Sequence, residues 1–341
     1  MLSLFRNNQF TTAIPLALYV VLTHLAALLG HLKPAEGIGL DGGVLYQAWF
    51  AWMGGDGQAV WSAAGASVLV FIQALYVNIL ADEFRLLSDR TWLPGLFYAL
   101  VAACMPDFLY LSPPLVAITF FPIVLRRIFS AYNQPKATAL VFDAAFWTTV
   151  AALFYPPAVF LLIAVYFGLG IMRSYSFRER MVSLTGIITA LFLAWLWYFW
   201  TDRGWDFWHI QFGSLFGFYG FSDFTIDWKT ALKWALPVLF FLTILLSYGT
   251  YMFRKLIQTQ KCISVLYWFL FVGGLAFLLQ TQPNPAYFIL LAAPTGIFLS
   301  LTFSTIRNRS MADIIHLALL GFVLFIQFSS LFVHQPTTIN R

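Results

Sequence analysis

Residues 182–200 read VSLTGIITALFLAWLWYFW, with Arg178, Glu179 and Arg180 just before them and Asp202 and Arg203 just after. No charge interrupts the stretch, and its few polar side chains are hydroxyls. A helix of about 20 such residues crosses the roughly 30 Å hydrocarbon core of a bilayer, where every backbone amide must find its partner within the segment. The pattern recurs along the chain, with apolar runs near 11–30, 64–82, 93–111, 114–130, 138–154, 157–172, 182–200, 231–253, 262–280, 286–304 and 312–333. The sequence therefore predicts an all-α fold, a polytopic transmembrane bundle of about 11 spans forming one integral membrane domain over 1–341. Tyr155-Pro156-Pro157, between the fifth and sixth runs, reads as a tight turn or as a kink.

Composition agrees. Of 341 residues, 61% are hydrophobic and 10% charged, whereas soluble domains carry about 25% charged residues. A mean hydropathy of +0.80 calls for lipid as the solvent. Cys104 and Cys262 fall inside apolar runs, which excludes a disulfide framework or a zinc site. The net charge of +5 forms no single basic patch, so nucleic acid is not an expected partner; the cations punctuate the apolar runs instead.

Those cations set an expected orientation. With the N-terminus cytoplasmic, fourteen of the 19 Lys and Arg residues, from Arg6 through Arg309, fall inside. Only Lys33, Arg203, Lys229, Lys233 and Arg341 fall outside. The first run reads as an uncleaved anchor rather than a signal peptide. The inner loops are then short and basic, and the two longest hydrophilic segments, 31–63 and 201–230, both lie outside. An aqueous function is expected there, on the outer face of a bacterial inner membrane.

The first outer loop places Asp41 among Gly37, Gly39, Gly42 and Gly43, followed by an apolar, aromatic segment from Val44 to Met53 too short to span. Trp49, Phe50, Trp52 and Trp61 suit helices lying in the headgroup region. Asp41 reads either as a site carboxylate or as the cap of the next helix. Asp107 follows Met105-Pro106 near an outer boundary, just before Pro113-Pro114. A carboxylate at that depth is costly unless solvated or paired, so it is a functional candidate, or else an interfacial turn residue. The second outer loop carries Asp202, Arg203, Trp205, Asp206, Trp208 and His209 among many aromatic residues and glycines. Aromatic faces beside carboxylates suit a sugar or a lipid-linked substrate, and Arg203 or His209 suits a phosphate. The same aromatics also suit a membrane-surface belt.

Two resemblances follow from these residues. The stretch Phe97–Arg127, with PDFLYLSPPL and LRRIF, together with Phe142-Asp143-Ala144, Leu153-Phe154-Tyr155 and Trp200-Thr201-Asp202-Arg203, resembles an uncharacterised family of polytopic membrane proteins from Bacteroidota. It brings no activity with it. Over roughly the first 130 residues, Asp41, the aromatic segment 44–61, Asp107 and Pro113-Pro114-Leu115 also resemble the layout of C-type integral-membrane glycosyltransferases. That resemblance implies an enzyme of the cell envelope that moves a sugar from a polyprenyl-phosphate carrier to an acceptor on the periplasmic face. Asp41 would be the catalytic base and Asp107 a second catalytic carboxylate, one able to help hold Mg²⁺ or Mn²⁺. Asp202, Arg203, Trp205, Asp206, Trp208 and His209 would bind substrate. Two departures stand out: Asp41 is followed by Gly42 rather than a second acid, and no large C-terminal soluble domain is expected.

Other readings stay open at this stage. A transporter or flippase would draw on His24, Asp143, Pro122, Pro237 and Pro294, and a non-catalytic subunit of an envelope assembly would show no motif at all. Asp313 and His316 read as anchors of the last helix. An iron oxygenase is excluded, because His24, His31, His209, His316 and His334 fall on different elements. No phosphate-binding fingerprint is present, so nucleotide sugars and ATP are not expected substrates.

Overall fold

The computed structural model describes residues 1–6, 10–32, 42–52, 59–213, 228–253, 255–278 and 285–332, and the regular structure among them is all helical. In chain order the helices are α1 (Leu2–Arg6), α2 (Ala13–Thr23), α3 (Leu25–Leu28), α4 (Val44–Trp52), α5 (Ala59–Glu83) and α6 (Leu93–Ala102). Then come α7 (Pro113–Ala117), α8 (Phe121–Ser130), α9 (Thr138–Phe154), α10 (Leu161–Met172), α11 (Phe177–Trp200) and α12 (Gly204–Phe212). The last are α13 (Trp228–Leu246), α14 (Tyr248–Met252), α15 (Ile257–Leu278), α16 (Ala292–Thr305) and α17 (Arg309–Phe332). Among the described residues, 6 stretches are long and apolar enough to cross a membrane, the longest being Ala59–Glu83 and Phe177–Trp200. Shorter apolar helices, such as Thr138–Phe154 and Pro156–Met172, stand beside them. The chain is a multi-pass helical membrane protein.

Two helices are shorter than the hydropathy predicts. Rather than running to 111, α6 ends at Ala102. Pro106 has no N–H to offer and holds Met105 in extended backbone (φ −121°, ψ 140°), so Asp107 sits on the 3-10 turn Pro106–Phe108. The run 11–30 likewise breaks at His24, whose Nδ1 lies 3.0 Å from the carbonyl of Val20. Gln327 of α17 serves both breaks at once: its amide donates to Thr23 O at 2.9 Å and to Ala103 O at 3.0 Å. Carbonyls freed inside a bilayer must be bonded somewhere, and one side chain takes one from each break. At Pro156-Pro157 the chain turns back. Arg173, past the end of α10, donates to Gln134 O, just before α9, at 2.8 Å, so the two helices are antiparallel.

Contacts sort the polar segments to two ends. At one end Arg126 pairs with Glu83 at 2.8 Å, Arg127 with Asp143 at 3.2 Å and Arg173 with Glu179 at 2.8 Å. Lys255 reaches Leu86 O at 3.2 Å and Lys261 reaches Met172 O at 3.4 Å, so the basic loops meet there. At the other end Tyr110 donates to Leu32 O at 2.6 Å, Leu111 N–H to Ser62 Oγ at 3.0 Å, and Gly43 N–H to Phe154 O at 2.9 Å. Between the ends, the exposed side chains of α11 and α13 are apolar, among them Ile188, Phe192, Leu193, Val238, Phe241 and Leu242. That is a surface for lipid.

The centre of the bundle is α6 against α16. Every residue of α6 is buried, as is nearly all of α16. Lipid tails are as apolar as this core, so close packing and buried hydrogen bonds must hold the helices together. Tyr98 donates to Gln73 Oε1 at 2.6 Å, and Gln73 donates to Leu115 O at 2.9 Å and Thr119 Oγ1 at 2.8 Å, tying α5, α6 and α7. Gly296 permits the contact: a Cβ there would lie 2.8 Å from the backbone N and Cα of Tyr98. Gly296→Val should therefore lower the melting temperature of the purified protein, costing about 3 kcal/mol. An unchanged melting curve would mean that the two helices are not in this contact.

Candidate functional site

Asp107 owes its position to the early end of α6. Its carboxylate lies 3.4 Å from the ammonium of Lys233 on α13, with side chains 14% and 40% exposed respectively. Among the described residues Asp107 has no other polar partner, so one loose ion pair compensates it. An ionisable pair at the rim of an apolar bundle marks a place where charge is wanted.

The neighbours of that pair are apolar. Phe108, next to Asp107, and Trp234, next to Lys233, line a cavity of about 300 Å³. Its other walls include Cys104, Pro237, Phe240, Leu270, Phe288 and Leu291. Val238, Phe241 and Leu242 also line it and are about half exposed on the lipid-facing surface, so the cavity opens sideways toward lipid. Its ring-rich wall is stiff, with Trp234 and Phe288 edge to face at 4.8 Å and Phe277 and Phe288 at 4.5 Å. The result is an apolar slot, two of whose walls, Phe108 and Trp234, stand next along the chain to a carboxylate and a cation.

Residues 42–46 meet α12. Gln211 of α12 is buried; it donates to Ala152 O at 2.8 Å, and its Oε1 accepts the Val44 N–H at 3.4 Å. Tyr198 donates to Val44 O at 3.0 Å. A Cβ on Gly43 would collide with the carbonyl of Leu153, so only glycine fits here. Tyr46 donates to Leu111 O at 3.3 Å, tying α4 to the segment that carries Asp107. Burial pushes the Tyr46 phenol up to about 12, which keeps it a donor. Residues 42–46 are thus anchored to α9, α11, α12 and the 105–111 turn. Asp41 itself lies outside the described residues, as do Met53 and residues 214–227.

Asp107 and Lys233 are brought together; the group on the second loop stands apart. Asp202 takes a left-handed conformation (φ 56°), and the N–H groups of Asp202 and Arg203 return to the last carbonyls of α11. That is helix-ending geometry, which Asp tolerates. Asp206 lies in the first turn of α12, where a carboxylate complements the helix dipole. Arg203, Asp206 and His209 are exposed, as are Trp205 (81%) and Trp208 (49%), the latter stacked on Phe212. No hydrogen bond or ion pair among the described residues joins this group to Asp107.

The predicted carriers of positive charge therefore change. Lys233, counted from sequence only as one of the outer cations, is the one at the carboxylate; Arg203 is not. Among the described residues, which leave out Asp41, no three His, Cys, Asp or Glu side chains converge, and Asp107, the expected metal ligand, faces an ammonium. Gln211, Tyr46 and Tyr198, which dock the first loop, carried no signal in the sequence beyond their aromatic surroundings.

Neither family models nor curated protein sequences match this chain. Solved structures do. Over 94% of its length the chain superposes on ArnT from Cupriavidus metallidurans bound to undecaprenyl phosphate, with a TM-score of 0.51 and 12% identity. The chain spans 61% of that protein. The Archaeoglobus fulgidus oligosaccharyltransferase tethered with an acceptor peptide is similar at a TM-score of 0.45 and 13% identity, over 85% of this chain and 46% of that one. Its apo form is similar at 0.46 and 11%, over 92% and 52%. Those two lie below 0.5 and no argument rests on them. At 12% identity the likeness to ArnT is one of fold alone.

Proposed function

We propose that the chain is a membrane glycosyltransferase that takes a sugar from a polyprenyl-phosphate carrier and passes it to an acceptor on the periplasmic face of a bacterial inner membrane, its N-terminus cytoplasmic. The observation that carries the reading is the sideways-opening apolar cavity, with the Lys233–Asp107 pair next in sequence to its Trp234 and Phe108 walls. An isoprenoid chain suits the ring-lined slot, and a phosphate suits the ammonium. The fold shared with ArnT, a protein solved with undecaprenyl phosphate bound, supports the same ligand class. The gathering of the basic loops at the opposite end supports the orientation.

The chemistry needs little more. As an acceptor hydroxyl attacks the anomeric carbon, its proton passes to a carboxylate, for which Asp41 is the candidate. The carbon–oxygen bond to the phosphate breaks, and the polyprenyl phosphate leaves with its added charge met by Lys233. Asp107 holds that ammonium when no phosphate is present. Asp202, Arg203, Trp205, Asp206, Trp208 and His209 line the membrane-surface approach for sugar and acceptor. No step here passes through a metal.

The test is retention of lipid by the purified protein in native mass spectrometry. Undecaprenyl phosphate should be retained at least about 10-fold more strongly than undecaprenol, since charge-assisted contacts to the phosphate are the difference. Equal retention of the two would sink the reading.

A further inference from the structure

The opposite ends of α6, α14 and α16 enclose a second and larger cavity, about 770 Å³, walled by α1, residues 87–93, α14 with Phe253 and Lys255 after it, and the α16–α17 turn. It differs from the first in every chemical respect. Four cations line it, Arg6, Lys255, Arg307 and Arg309, against two carboxylates, Asp89 and Asp313. Asp313 is already engaged: it accepts the Leu2 N–H at 2.8 Å. Lys255 is held in place by Leu86 O at 3.2 Å and Ser88 Oγ at 3.3 Å, and burial lowers its pKa while Asp89 partly restores it. Arg6 reaches across to Phe303 O at 3.5 Å. Arg307 and Arg309 are exposed, and among the described residues neither enters an ion pair.

The floor holds a second sign of a ligand. Thr91 lines the cavity and is only 7% exposed, and among the described residues its hydroxyl has no hydrogen-bond partner. Such a group normally finds one, because leaving it bare costs the lost solvation. By contrast, Ser304 and Thr305, on the same wall, bond to carbonyls of their own helix. Cations in excess of free carboxylates and one unspent buried donor form a place for an oxyanion. The volume falls within the range of small-ligand sites.

We infer that this cavity binds a phosphate-bearing anion, with Arg307 and Arg309 pairing to its charge, Lys255 supporting from the side and Thr91 donating from the floor. The site stands at the other end of the bundle from the Asp107–Lys233 pair, and its occupancy does not depend on the transferase reading. A phosphate there comes either from water or from an anionic lipid headgroup, since a helix end at the interface meets both.

The experiment titrates the intact chain in dodecyl maltoside at low salt. Inorganic pyrophosphate is added in a calorimeter, and phosphatidylglycerol or phosphatidylethanolamine is added before native mass spectrometry. Saturable binding of pyrophosphate assigns the soluble source, and preferential retention of phosphatidylglycerol assigns the headgroup. Either binding should weaken about 30-fold in Arg307→Gln/Arg309→Gln, given the usual contribution of each interfacial cation. Thr91→Val removes the hydroxyl at nearly constant volume and should weaken it about 5-fold, given the net worth of one hydrogen bond. It carries the test alone if the double variant melts early. Absence of saturable binding of both probes overturns the inference, and so does binding that both variants leave unchanged.

Discussion

Asp41→Asn should lower sugar transfer by about 10²-fold or more while leaving retention of undecaprenyl phosphate as it was. The substitution keeps size and hydrogen-bonding reach and removes only basicity. If Asp41 takes the acceptor proton, the loss falls on turnover, because the uncharged amide cannot accept it in the transition state. The residues that follow Asp41 argue for position as well as chemistry: Gly42-Gly43-Val44 is anchored by the carbonyl of Phe154, by Gln211 and by Tyr198. A loop meant only as a turn has no need of three anchors from three helices. The assay is transfer from undecaprenyl-phosphate-linked sugars to acceptor in proteoliposomes. A rate within about two-fold of the parent would remove Asp41 from the chemistry.

The second large effect concerns charge at the slot. Lys233→Met should weaken retention of undecaprenyl phosphate by about 10- to 100-fold, the worth of a charge-assisted contact in a partly dry site. Part of that loss comes from Asp107, which is left beside an incoming phosphate with nothing to offset it. Asp107→Asn added to Lys233→Met should therefore recover some of the affinity. The non-additivity of the pair, read by native mass spectrometry, measures their coupling. If the single variant binds as the parent does, Lys233 is not the phosphate partner. Additive losses would instead show that the two side chains act independently.

The membrane character was legible because hydropathy is local: residues 182–200 announce a helix in lipid without reference to anything else. Asp107 was legible for a related reason, a carboxylate between Pro106 and Pro113 at the edge of an apolar run. The end of α6 was not. Ala103, Cys104, Met105, Phe108 and Leu109 are as apolar as the helix before them, so composition cannot see the break that Pro106 imposes. Lys233 was hidden more deeply. It lies 126 residues from Asp107, and the pairing is made by α13 reaching the Pro106–Phe108 turn, a tertiary fact that no window of sequence contains. In the second loop the eye goes to Trp205 and Trp208, whereas the structure spends Gln211, an inconspicuous amide, on joining the two loops.

On the proposed function, the sideways opening of the apolar cavity, past Val238, Phe241 and Leu242, changes what concentration means for this protein. A carrier that enters between helices arrives by diffusing in two dimensions within one leaflet and never crosses water. The quantity that saturates the site is then its mole fraction among the lipids, not its molarity in the vessel. Diluting the membrane with inert lipid at fixed total carrier slows encounter, and thinning the aqueous suspension does not. The density of the carrier in the leaflet becomes the variable that the cell must regulate.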